Sequence, residues 1–117
     1  MQVVLVAEDP EARDLYAYAL RQAGLTVHAR VQFRSTIEEW LDSAADLLLV
    51  IQPEEDSLLK HIGRFREVSA APLLVLLDAP SASTQLRSIQ LGADLALAMP
   101  ADPRLLAAYC LNLIRRS

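Results

Sequence analysis

Asp46-Leu-Leu-Leu-Val-Ile51, followed at once by Gln52-Pro-Glu-Glu-Asp56, decides the fold. A short apolar run bounded by acids and a proline reads as a strand buried on both faces, the pattern of a central strand in a parallel sheet. Two other runs repeat it: Val3-Val-Leu-Val-Ala7 ahead of Glu8-Asp9, and Leu73-Leu-Val-Leu-Leu77 ahead of Asp78-Ala-Pro80. Three buried strands therefore release the chain into acidic loops at their carboxyl ends, the edge at which open α/β sheets bind ligands. There the central strand presents Ile51 and Gln52, neither a nucleophile nor an acid.

Outward from these strands the chain alternates. Asp9 caps a helix with Pro10 in its first turn, a stripe of Ala12, Leu15, Ala19, Leu20 and Ala23, and a stop at Gly24. Leu25-Thr-Val-His-Ala29 is mixed enough to be an edge strand, and Ser35 with Glu38 forms a capping-box pattern opening a helix through Ile37, Trp40, Leu41 and Ala44. A helix from about Asp56 turns Leu58, Leu59, Ile62 and Phe65 inward. Ser81 or Ser83 starts another, carrying Leu86, Ile89 and Gln90 and stopped by Gly92. Leu95-Ala-Leu-Ala98 is a fifth strand, and Asp102-Pro103 repeats the cap-and-proline device for a last helix through Leu106, Cys110 and Leu113. Five strands alternating with five helices predict a three-layer α/β/α sandwich around a parallel sheet.

The 117 residues suit one domain with one real core, and no linker, repeat or low-complexity tract divides them. A net charge of −4 gives no general attraction to nucleic acid or an anionic membrane, so no direct nucleic-acid binding is expected. The longest apolar run is far short of the ~20 residues that span a bilayer. Met1-Gln2-Val3 shows no basic export region, and the expected compartment is the cytoplasm. A single cysteine, Cys110, excludes an intrachain disulfide and a multi-cysteine metal site. It falls on the inward stripe of the last helix, which points to an inert buried thiol. His28 and His61 sit on different elements without metal-ligand spacing and read as ordinary histidines, and Trp40 reads as a packing residue. No nucleophile–base pair, metal cluster or glycine-rich phosphate loop appears, so no enzyme activity is expected.

Taken in order, these elements resemble the receiver domain of two-component response regulators, a doubly wound flavodoxin/CheY-like fold with strand order 2-1-3-4-5. The resemblance spans the whole chain, residues 1–117, as a single receiver-like domain. It rests on Glu8-Asp9 after the first strand, Asp46 with its five-residue step to the strand end, and Gly92-Ala93-Asp94 with Pro100 after the fifth strand. It implies a cis bond from Met99 to Pro100. It also implies phosphoryl transfer to an aspartate at the end of the third strand, with a metal ion, a lysine and a hydroxyl stabilising the charge. Carried over by position, the acceptor falls on Ile51, the hydroxyl on Leu77, the lysine on Met99 and the switching aromatic on Ala96. The acid pair Glu8 and Asp9 alone survives. An alkyl side chain cannot accept a phosphoryl group, so the expectation is a pseudo-receiver that works without phosphorylation and needs no cofactor.

At Glu8 and Asp9 the alternatives are a weak Mg²⁺ site, completed by a carbonyl near Pro53 and waters, or simply a helix cap and a solvated acid. On the last helix, Leu105, Ala108, Tyr109 and Asn112 face outward, and Leu105, Tyr109 and Leu111 are apolar where receivers of the transcription-factor type carry charges. With Leu95 or Leu97 they would make a patch suited to a protein partner or a homodimer, through helix four, strand five and helix five. Arg115-Arg116-Ser117 reads as the opening of a linker, making the chain the front of a longer regulator. Two other functions remain open: a phosphoacceptor using a shifted loop acid, Asp78 or Asp56, on a metal at Glu8 and Asp9, and a small-molecule sensor with Ile51, Leu77 and Met99 lining an apolar pocket.

Overall fold

In the computed structural model, which describes residues 1–117, the five apolar runs form one parallel sheet. Its strands are β1 (Gln2–Ala7), β2 (Thr26–Arg30), β3 (Leu47–Ile51), β4 (Leu73–Leu77) and β5 (Leu95–Ala98), in the order β2-β1-β3-β4-β5. Every residue of β3 and β4 is buried, as continuous aliphatic runs demand when helices cover both sheet faces. Asp46 fixes the register at the start of β3, since its carboxylate accepts from the Gln2 amide at 2.7 Å.

The helices are α1 (Pro10–Gln22), α2 (Phe33–Glu38), α3 (Glu55–Val68), α4 (Ala82–Leu91) and α5 (Pro103–Arg116). The period-two alternation of the strands divides the interior into two cores. Val3, Leu5, Leu49, Ile51 and Leu76 meet α1 and α5, while Val4, Val6, Leu48, Val50 and Leu77 meet α2 and α3. The result is the three-layer, doubly wound α/β/α arrangement with order 2-1-3-4-5. No helix is long and apolar enough to cross a membrane.

The predicted caps of α1, α4 and α5 are present: Asp9 accepts from the Glu11 amide, Ser81 from Thr84 and Asp102 from Arg104. Gly92 ends α4 at φ +126°. The helix expected from about Asp56, α3, starts at Glu55, so that Asp56 lies in its first turn.

Other departures concern which face a helix buries. On α1 the buried stripe is Ala12, Tyr16, Ala17 and Leu20, whereas Leu15 and Ala23 are exposed. Tyr16 is admitted because its hydroxyl donates to the Ala101 carbonyl at 3.1 Å. Ser35 does not cap α2. The helix starts earlier, on buried Phe33, and the chain then tightens into a 3₁₀ turn at Trp40–Asp42 that leaves Leu41 78% exposed. That turn lets the buried Trp40 reach the Ser69 hydroxyl at 3.0 Å and stack edge-to-face on Phe65. On α5, Ala107 and Ile114 join Leu106 and Cys110 in the core, while Leu113 is only half-buried.

Candidate functional site

The carboxyl edge of the sheet gathers the ends of β1, β3, β4 and β5, where the resemblance places a phosphorylation pocket. Ile51 closes β3 beside Ala7, 2% exposed, with its side chain in the α1/α5 core. Leu77 closes β4 and packs into the opposite core with Ala96. Met99 is half-buried against the Ile51 side, and its bond to Pro100 is cis. The four positions are thus split between the two faces of the sheet. Ile51, Leu77 and Met99 line no common apolar pocket, because strand alternation sends Ile51 and Leu77 to different layers.

The acid pair is also not arranged as a metal site. The Asp9 carboxylate is engaged at the head of α1, accepting from the Glu11 amide at 3.0 Å, and Glu8 is exposed. No three His, Cys, Asp or Glu side chains converge anywhere in the chain. These residues do not fit a dedicated divalent-ion site, which needs several convergent oxygens. Asp78 is exposed on a small groove shared with Glu55, Pro80 and Thr84, apart from Glu8 and Asp9, and Asp56 is exposed on α3.

Sequence reasoning missed a cation at this edge: Arg13 of α1 reaches back and donates to the Ala7 carbonyl at 2.9 Å. It also missed a groove of about 530 Å³ between the end of β3 and the helices α2 and α3. Gln52, at φ +49°, and Ala79, at φ +40°, take left-handed turns immediately beyond β3 and β4.

On the far side of the sheet edge, α4 packs in an unexpected sense. Its buried residue is Ser88, whose hydroxyl donates to the Thr84 carbonyl at 2.7 Å, and Gln85 donates to the Ala96 carbonyl of β5. Leu86 (57% exposed), Ile89 and Leu91 therefore face solvent. Leu105, Ala108 and Asn112 of α5 are exposed as expected, while Tyr109 and Leu111 are half-buried. A shallow groove of about 230 Å³ runs between the end of β5 and α5, lined by Leu97, Pro100, Leu105 and Tyr109. His28 bonds only Gln2, and Cys110 is wholly buried, which pushes its thiol pKa up to about 12.

No family model matches the chain. In sequence it is 32% identical over 120 residues to the transcriptional regulatory protein GltR of Pseudomonas aeruginosa, covering 98% of this chain and 49% of that protein. The chain thus spans about half the length of this relative. In fold it matches HP1043, an orphan response regulator of H. pylori, with a TM-score of 0.88, 20% identity and coverage of 98% of this chain and 97% of that one. An atypical orphan response regulator with a phosphorylation-independent regulatory mechanism gives 0.87, with 20% identity, over 98% of this chain and 97% of that one. The receiver domain of TorR, the response regulator of a TMAO respiratory system, gives 0.86 at 22% identity over the same shares. Throughout its length the chain has the fold of response-regulator receiver (CheY-like) domains, and 98% of it is similar in sequence to part of one transcriptional regulatory protein.

Proposed function

We propose that the chain is a receiver domain that transmits signals by protein contact without being phosphorylated, through the face formed by α4, β5 and α5. The observation that carries the reading is Ile51, an alkyl side chain 2% exposed at the position of the phosphoacceptor. A group that can neither ionise nor reach solvent has no route to a phosphodonor. The charge-stabilising positions agree, since Leu77 and Met99 offer neither hydroxyl nor ammonium. The existence of an atypical orphan regulator of the same fold that is controlled independently of phosphorylation supports it further.

The contact face is argued from exposure. Leu86 and Ile89 on α4 and Leu105 (53% exposed) on α5 are exposed on the two helices that neighbour β5 in the chain, whose Leu95 and Leu97 are half-buried. Exposed aliphatic side chains on neighbouring elements are a feature of protein-binding surfaces. The partner is a second copy or another protein. Since the relative GltR is a transcriptional regulator about twice as long, we read the chain as the front of such a cytoplasmic regulator, any DNA contact belonging to the remainder.

The decisive experiment is a backbone-amide NMR titration with Mg²⁺ and then beryllofluoride, an acyl-phosphate mimic. Flat shifts are expected. Saturable shifts reaching β5 would establish an acceptor at Asp78 or Asp56 and overturn the reading. For the contact face, sedimentation of wild type and Leu105→Asp is expected to show association only in wild type. A monomer at every concentration that captures no partner from the source cell would overturn that half.

A further inference from the structure

We propose that the groove between α2 and α3 binds a small, multiply charged organic anion, held by Arg34, Lys60, His61 and Arg64. The site lies apart from the α4–β5–α5 face and does not depend on it.

The walls carry the charge. Arg34 comes from α2, and Lys60, His61 and Arg64 come from successive turns of α3. Lys60 and Arg64 are like charges at i,i+4, an arrangement that costs a helix stability unless something offsets it. Neither makes an ion pair, and Arg34 pairs only with Glu38, at 3.4 Å with both side chains largely in solvent. A chain of net charge −4 therefore concentrates three cations, two of them without an ion pair, around one cavity. The field is felt at His61, whose pKa is lowered by burial first and then by Lys60, Arg64 and Arg34, with only Glu54 opposing.

The floor argues for an organic ligand. Val6, Val50 and Phe33 underlie the groove, and Phe33 meets the His61 ring edge-to-face at 5.4 Å between centroids. Ser57, Gln32 and Gln52 add hydrogen-bonding groups at the sides. About 530 Å³ lies within the range of small-molecule sites, and an apolar floor with a few convergent polar groups is their usual make-up. The acids Glu8 and Glu54 at the strand-end rim, with the net negative charge beyond, disfavour a long polyanion. A compact phosphorylated or polycarboxylate metabolite fits all three constraints.

The test is a backbone-amide NMR titration of the intact chain with fructose 1,6-bisphosphate and, separately, citrate, against sodium chloride at matched ionic strength. The expected result is saturable shifts at Arg34, Ser57, Lys60, His61 and Arg64 with at least one of them, and a rise in the His61 titration midpoint on binding. The arm that saturates distinguishes a phosphate from a carboxylate ligand. A Lys60→Ala/Arg64→Ala variant, both side chains being solvent-exposed, is expected to keep its spectrum elsewhere and lose about tenfold or more in affinity. Absence of saturation with both anions, undiminished binding by the double variant, or equal shifts at Arg104, Arg115 and Arg116 would each overturn the proposal.

Discussion

The Nε of Arg66 donates to the carbonyl of Gly92 at 2.7 Å, and the aliphatic stem of the same arginine fills the space that a Cβ on Gly92 would need. The guanidinium goes on to bond the carbonyls of Ser69 and Ala71 and, at 2.8 Å, the carboxylate of Asp94. Asp94 in turn accepts from the Leu73 amide at 2.8 Å. One side chain thus ties the end of α3 to the turn after α4 and to the start of β4. The Gly-Ala-Asp motif is its receptor.

Gly92→Ala is therefore expected to lower stability by about 2–3 kcal/mol, combining the cost of a positive φ with displacement of Arg66. Arg66→Ala is expected to cost about 3 kcal/mol through lost charge-assisted hydrogen bonds. In urea denaturation the double variant should lose less than the two summed, by about 1 kcal/mol, because the steric conflict has gone. Strict additivity would mean that the two residues do not constrain each other.

An aspartate at position 51, the proposed acceptor position, should not make the domain phosphorylatable. Ile51→Asp places a carboxylate among Leu5, Ala7 and Leu49, and the expected loss is about 3 kcal/mol or more. Beryllofluoride with Mg²⁺ should leave its melting temperature unchanged. A variant as stable as wild type that is stabilised by the mimic would show that the pocket is one substitution away from function.

Gln52 and Ala79 hold left-handed backbone that L-residues adopt at a cost of about 1–2 kcal/mol each. Ala79→Gly should relieve it, with part of the gain offset by the greater freedom of the unfolded chain, for a net rise of about 0.5–1 kcal/mol. The same change at Gln52 should act alike. Thermal denaturation decides, and a drop in stability at Ala79 would refute the strain.

Burial holds the Cys110 thiol up to about 12, against an ordinary value of 9.0. A folded value above the unfolded one means that the unfolded chain releases this proton first. Its contribution is thus intact below pH 9 and is lost as the pH rises toward 12. The expected decline is about 1.4 kcal/mol per pH unit across that window. Cys110→Ala should lack that component in urea titrations, and the native thiol should resist Ellman's reagent until the protein unfolds.

The strands were legible because a strand buried on both faces is an unbroken aliphatic run, and three of the five were of that kind; their order came from the resemblance to receiver domains. Caps built from Asp9-Pro10, Ser81 and Asp102-Pro103 were legible because a short polar side chain ahead of a helix has few other uses. The orientation of α4 was not, since Ser88 and Gln85 turn inward by finding hydrogen-bond partners, an event that hydrophobic spacing does not register. Tyr16 was missed for the same reason. At the candidate site, the resemblance assigned Ile51, Leu77 and Met99 to one pocket, and their division between two layers needed the sheet. The cationic groove joins Arg34 to Lys60 and Arg64 across two helices, and only the i,i+4 spacing of the last two hinted at it.

The amide of Gln85 on the Ala96 carbonyl has a consequence for assembly. β5 is an edge strand, and exposed strand edges invite another chain to add itself as a new strand. With α4 alongside and one of its acceptors already occupied, β5 is a poor template for such growth. A partner arriving at this side must therefore engage side chains rather than extend the sheet, which leaves selectivity to shape and chemistry and makes runaway polymerisation along the edge unfavourable.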